Sequence, residues 1–368
     1  MNKGMKWSAA LLAAGIIIGG SGLTGGTSVS AAVTGNHVVQ QSLKQPAVVL
    51  KYKGKTLTQQ GKVINGNTMI PVTVLRDALG LPLSYSPSTR TATIGTGSEK
   101  LTLENSEYGA NTSLNGYYIY SNTSKYEVKN LDGRLYVPFK LLNDYLGYQG
   151  VYNPSLKSLE ISKRVMNDIS ISTETLNKSN KNADIQIQYP QISGLSDETQ
   201  QAINALFKQK AEAFATDSEK QSTMRDAAIG ENKYDFSQTF IVTFNREGVL
   251  SVVVDQSSYV GGAHGGTVRE GLTFSLHTGK QLGLDALLKA VPNYKHNLDK
   301  MLKERTKDSF AHVSSGLNAK PDFYVKEDGI AILYQQNEIS AYAAGFPTYE
   351  FNFSELLPKG TDPFASFK

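Results

Sequence analysis

The sequence predicts an α+β chain in which a duplicated small α/β module precedes an α+β sandwich of helices on an antiparallel sheet. Three observations carry the prediction. Residues Ile64 to Ile94 recur without a gap 67 positions later as Leu131 to Ile161, and ten of the 31 aligned pairs are identical. Beyond Asp168, helix-period apolar stripes are mixed with short strand patterns. Between the two regions, Lys163 to Asn182 is polar and turn-rich, as a domain boundary requires.

Residues 1–32 have the order of an export signal: Lys3 and Lys6, apolar Ala9 to Gly20, then Val29-Ser30-Ala31-Ala32 with cleavage expected near Ala31 or Ala32. Read as a membrane helix, Trp7 to Leu23 would reach about 25 Å against the roughly 30 Å of a hydrocarbon core, so it suits removal better than spanning. No later segment has enough apolar length to cross a membrane. Cysteine is absent, which removes disulfides, thiolate metal sites and a lipoprotein anchor, and fits a secreted or cell-wall associated protein of a Gram-positive bacterium. The mature chain has 35 basic and 33 acidic side chains, a balance that argues against a dedicated nucleic-acid binder.

An N-terminal linker at 33–47 leads into the module, expected over 48–162. Each repeat reads as one unit: a turn at Asn65-Gly66 or Asp132-Gly133, a strand closed by Pro71 or Pro138, a short amphipathic helix ended by Gly80 or Gly147, then two strands around a Pro-Ser turn. The prolines are expected on edge strands and the glycines as left-handed helix caps. Nine of the 19 tyrosines fall between Tyr108 and Tyr152, including Tyr117, Tyr118 and Tyr120. Such rings either stack on sugars and partners or fill sheet faces.

The repeat pattern, ending in Thr91-Ala92-Thr93-Ile94, resembles the copper amine oxidase N-terminal-like domain. That resemblance implies a small α/β module but not copper, because His37 is the only histidine before residue 200. No metal and no cofactor is expected.

After a short linker at 163–167, the second domain is expected over 168–357, with a C-terminal tail at 358–368. Ser196 caps a helix whose stripe is Ile203, Leu206, Phe207 and Phe214. Strands follow at Thr239 to Phe244 and Val249 to Asp255, joined by Asn245-Arg246-Glu247-Gly248. A second helix is expected near Asn293 to Phe310, and strands near Phe323 to Val325, Ile330 to Tyr334 and Tyr349 to Phe353.

The segments YPQISGL (Tyr189 to Leu195), SYVGGAHGGT (Ser258 to Thr267) and EISAYAAGFPTYEFNFSEL (Glu338 to Leu356) resemble, in order, the extracytoplasmic domain shared by lysozyme-sensing anti-sigma factors and exported peptidoglycan deacetylases. Only six residues precede Trp7, so sigma-factor control is not expected. Only twelve follow Leu356, so a deacetylase catalytic domain is not expected either. What the resemblance implies is a sensory or accessory domain in the setting of the cell wall, with lysozyme a partner of some relatives.

The Gly261 to Gly266 run lacks the lysine and helix of a phosphate cradle and reads instead as a tight backbone crossing. His264 within it either makes a pH-sensitive contact or ties the loop to a carbonyl. Tyr259, His264, Glu338 and Tyr342 form the expected binding set, on two loops expected side by side; no catalytic residue is assigned. Glu270, Asp255 and Glu338 are the carboxylates a glycoside hydrolase would draw on, although solvated or ion-paired carboxylates are commoner. The leading expectation is a non-enzymatic envelope protein binding a cell-wall glycan or a wall-active protein such as lysozyme. A wall-modifying glycoside hydrolase and a structural wall spacer are the alternatives.

Overall fold

The structure, a computed structural model, describes residues 46–106, 109–119, 125–225, 232–309, 313 and 316–368. The export signal, nearly all of the linker 33–47, Tyr108, Tyr120, His312 and the helix end expected at Phe310 lie outside the described residues.

The module opens with β1 (Ala47–Tyr52), β2 (Lys55–Thr56), β3 (Gly61–Ile64) and β4 (Asn67–Pro71), then α1 (Val72–Asp77), β5 (Leu83–Ser86) and β6 (Thr91–Ile94). It continues through β7 (Leu101–Ser106), β8 (Gly109–Leu114), β9 (Tyr117–Tyr118), β10 (Lys129–Leu131) and β11 (Arg134–Pro138) to α2 (Phe139–Tyr145), β12 (Tyr148–Asn153) and β13 (Ser158–Lys163). The two copies share their element order and their backbone exceptions. Asn65 and Gly66, Gly80 and Arg90 have positive φ, and so do Asp132 and Gly133, Gly147 and Lys157 at the matching positions. Leu75 and Leu142 are both fully buried.

β11 lies antiparallel to β4 with Val137 opposite Ile70, Tyr136 opposite Pro71 and Pro138 opposite Met69. These residues are one another's repeat equivalents, so a local two-fold passes through the Ile70 and Val137 pair. The edge-strand expectation for the prolines is therefore corrected. β4 and β11 are internal to the sheet β10-β11-β4-β3-β1-β13-β12. Each proline is accommodated because its strand ends there and the next residue begins a helix, whose first turn needs no N–H from it. Beyond the two-fold the copies diverge: β13 joins β1 in parallel, whereas β6 joins β7 in a separate sheet, β5-β6-β7-β8-β9.

The second region begins with β14 (Ser170–Asn177), β15 (Ala183–Ser193), α3 (Asp197–Thr223), β16 (Tyr234–Arg246), β17 (Val249–Tyr259) and β18 (Gly266–Ser275). It continues with α4 (Leu284–Leu287), α5 (Tyr294–Thr306), β19 (Asp322–Lys326), β20 (Gly329–Leu333), β21 (Thr348–Asn352) and α6 (Phe353–Leu356). The main sheet runs β14-β15-β16-β17-β18 and is antiparallel except at β15 and β16. That pair is parallel because α3 carries the chain between them, as a crossover helix does. Ile203 and Phe207 of α3 bury against Phe236, Phe240 and Phe274. Leu298 and Leu302 of α5 bury with Phe323, Val325, Ile330 and Phe351 over the smaller sheet β19-β20-β21.

The two regions meet closely. Ile241 and Val253, from the other face of the main sheet, belong to the module's apolar core. Arg164 donates to the Asn143 carbonyl and side chain at the end of α2 and pairs with Glu327, which Arg246 also contacts at 3.1 Å. Asn167 donates to Asn245 and the Val249 carbonyl and accepts from the Gly248 N–H, clamping the β16–β17 turn. The tail folds back as well, with Phe364 stacked on Phe244 at 4.9 Å. Among the described residues no helix is long and apolar enough to cross a membrane.

Candidate functional site

The loop between β17 and β18 is shaped by its glycines. Gly261 and Gly262 have φ of +92° and +89°, a region open to glycine at little cost. At Gly265 a Cβ would stand 2.6 Å from the Ser258 carbonyl oxygen, so the chain passes where no side chain fits. Opposite it, the chain from Glu338 to Gly345 includes a short helical turn over Tyr342–Ala344 and a left-handed Gly345.

These two loops lie side by side. The His264 imidazole stacks on the Tyr342 ring at 4.0 Å and 22°, and the Tyr342 hydroxyl donates to the Gly265 carbonyl at 2.8 Å. His264 Nδ1 also lies 2.9 Å from the Gly265 oxygen, so this exposed histidine has the loop-tying contact and an aromatic stack together. Tyr259 donates to the Gly262 carbonyl at 3.1 Å within its own loop. Glu338 accepts from the Gln335 N–H at 2.6 Å and from Asn318 at 2.7 Å, which fixes the start of the second loop. The structure thus brings His264 and Tyr342 into contact and engages Tyr259 and Glu338 inside their own loops.

Tyr342 also forms part of the wall of a cleft of about 580 Å³ between the module and the second region. Tyr117, Tyr118, Tyr126 and Tyr145 contribute from the module, and Arg269, Tyr324 and Phe346 from the second region. Arg269 organises the interior. Its guanidinium donates twice to Asp255, at 2.7 Å each, and lies over the Phe346 ring at 4.1 Å and the Tyr117 ring at 5.4 Å. Burial disfavours the Arg269 cation, yet the Asp255 carboxylate, which accepts both of its hydrogen bonds, holds its pKa above the ordinary arginine value. Burial pushes the Tyr145 hydroxyl up to about 12 and raises Tyr117, Tyr126 and Tyr324 further, so these tyrosines are neutral hydrogen-bonding groups.

The carboxylates considered for hydrolysis are each engaged: Asp255 with Arg269, Glu270 with Lys210 through both oxygens, and Glu338 as described. Among the described residues no three His, Cys, Asp or Glu side chains gather as a metal-binding group. The sequence pointed to the tyrosines of the module but not to Arg269, Tyr324 and Phe346. One signal was available for Arg269: a charge midway along an alternating strand, on the face of Thr267, Gly271 and Thr273, calls for a buried counter-charge.

The chain matches three family models. Residues 48–161 match the copper amine oxidase N-terminal domain, 176–267 match deacetylase PdaC, and 285–354 match a protein family of unknown function, DUF3298. The glycine loop lies in the PdaC match and the Tyr342 loop in the DUF3298 match. No histidine or cysteine occurs between 48 and 161. A crystal structure of a DUF3298 family member from Bacteroides fragilis aligns over 54% of this chain and 97% of its own, with 15% identity and a TM-score of 0.41. One from Pseudomonas aeruginosa aligns over 51% and 93%, with 13% identity and a TM-score of 0.34. No curated protein matches the chain. The chain therefore joins a copper amine oxidase N-terminal-like module to a region similar first to PdaC and then to DUF3298 proteins, a combination that fits a protein associated with the cell envelope.

Proposed function

We propose that this is an exported, non-enzymatic cell-envelope protein that binds a cell-wall component where the His264 and Tyr342 loops meet. One observation carries the reading: the stack of an exposed histidine on a tyrosine that also lines an aromatic cleft. Connecting loops on a rigid sheet are the usual place for recognition, and tyrosine supplies apolar area and a hydrogen bond from one side chain. The engagement of Asp255, Glu270 and Glu338 by cations and amides favours binding over glycoside hydrolysis, which needs a carboxylic acid and a free carboxylate facing one bond. The expected export signal and the PdaC match support a location at the wall.

Between a wall glycan and a wall-active protein such as lysozyme, the concave cleft favours the glycan, because a globular partner would engage the rim and leave the interior unused. The test is retention of the mature chain on purified peptidoglycan and, separately, on immobilised lysozyme. Retention on peptidoglycan supports the glycan reading. Retention on lysozyme alone moves the partner to a protein, and retention on neither rejects the proposal.

A further inference from the structure

Tyr117 is 6% exposed, yet its hydroxyl and that of Tyr324 make no hydrogen bond to a described residue, and neither oxygen is among the buried, unpartnered ones, so both open onto the cleft. Both rings line the same cleft, one from the module and one from the second region. A cleft-facing hydroxyl that is bonded to water and not to protein exchanges that water for a ligand rich in hydroxyl or amide groups without loss of a protein hydrogen bond.

The rest of the wall narrows the chemistry. Arg269 has its charge matched by Asp255 and its face covered by Phe346, so it offers a planar polar edge and not a free cation. Lys125, at the mouth, is 3.6 Å from Glu350. A phosphate or polyanion finds no unmatched charge here, and a hydrocarbon chain would leave the Tyr117 and Tyr324 hydroxyls unsatisfied. A sugar ring has what both exclude: an apolar C–H face for aromatic stacking and a rim of hydroxyls. Tyr118, 41% exposed at the entrance with its hydroxyl held by Asn111, offers a stacking face. The cleft volume falls within the roughly 300–1,000 Å³ of small-ligand sites.

We propose that this cleft takes a short, uncharged saccharide segment, held by the Tyr117 and Tyr324 hydroxyls and by stacking on the surrounding aromatic rings, so that the module and the second region build one site together. The proposal rests on the wall-binding reading and identifies its ligand class and position.

The probe is the trimer of N-acetylglucosamine, titrated calorimetrically into the mature chain, with retention on peptidoglycan measured in parallel. Tyr117→Phe and Tyr324→Phe keep the rings and remove only the hydroxyls. Each is expected to weaken trimer binding about three- to tenfold, the worth of one hydrogen bond, with the thermal midpoint unchanged. Phe346→Ala is the second variant, expected to weaken binding by loss of a ring that also covers Arg269. Tyr85→Phe, at an exposed position outside the cleft, is expected to bind like the unaltered chain. Trimer binding that is indifferent to both hydroxyl deletions overturns the cleft assignment. Retention on peptidoglycan without trimer binding also overturns it while leaving the wall-binding reading standing, and failure of both measurements rejects both.

Discussion

Arg164 and Glu327 meet at 3.3 Å with each side chain only 7% exposed, and this pair locks the module to the second region. Arg164 stands just beyond β13 and grips the end of α2, while Glu327 occupies the turn between β19 and β20 and also receives Arg246. Removing the carboxylate leaves the buried Arg164 and the part-exposed Arg246 cations facing each other. Glu327→Ala is therefore expected to cost about 3 kcal/mol or more in urea unfolding. A cost below about 1 kcal/mol would mean that the ion cluster adds nothing beyond the packing around it.

Leu75 and Leu142 hold equivalent, fully buried positions in the repeat. Alanine at either is expected to destabilise the chain by about 2–5 kcal/mol, the range for a buried leucine whose site collapses only partly. A large loss at one and almost none at the other would contradict their equivalence.

The legible part of the fold was the part written in local chemistry. Asn65-Gly66 and Asp132-Gly133 demand left-handed turns, Gly80 and Gly147 demand helix ends, and the period of Ile203 and Phe207 marks a buried helix face. Strand partners were not legible, because pairing depends on which distant edge is free. Thus β13 pairs with β1 about a hundred positions away, and β15 and β16 become parallel only through the intervening helix. The candidate site divides the same way. The adjacency of the His264 and Tyr342 loops was anticipated from their glycines and polar residues, whereas the cleft needed the docking of two regions that share no local signal.

Asp299 supplies a pH prediction. Its carboxylate accepts the Leu317 N–H at 2.8 Å and pairs with Lys303, and these contacts, the backbone hydrogen bond foremost, hold its pKa below the ordinary aspartate value. The folded chain thus favours the ionised form. Its stabilisation is complete above the unfolded value of about 3.9 and disappears as pH falls through the lower folded value. Asp299→Asn is expected to cost about 1 kcal/mol at pH 7. The gap to the unaltered chain should close in acid, as followed by denaturant titration at a series of pH values. A gap that stays constant down to acid pH would rule out the charge as its source.

Gly265 tests whether the glycine loop has to follow its observed path. Its added Cβ in Gly265→Ala would press on the Ser258 carbonyl, shifting the backbone that receives the Tyr342 hydroxyl. Wall binding should fall at least tenfold, by about 1.4 kcal/mol, with the thermal midpoint little changed because the loop lies outside the core. Undiminished binding would place recognition elsewhere.

The most direct measurement is a binding isotherm of the mature chain on purified peptidoglycan, compared with Tyr342→Ala and His264→Ala. Saturable retention of the unaltered chain is predicted, with no release of soluble fragments, and a loss of about 2 kcal/mol, close to thirtyfold, in each variant while both remain folded. Retention equal in all three proteins, or release of wall fragments by the unaltered chain, would contradict a non-enzymatic binding site at the meeting of these loops.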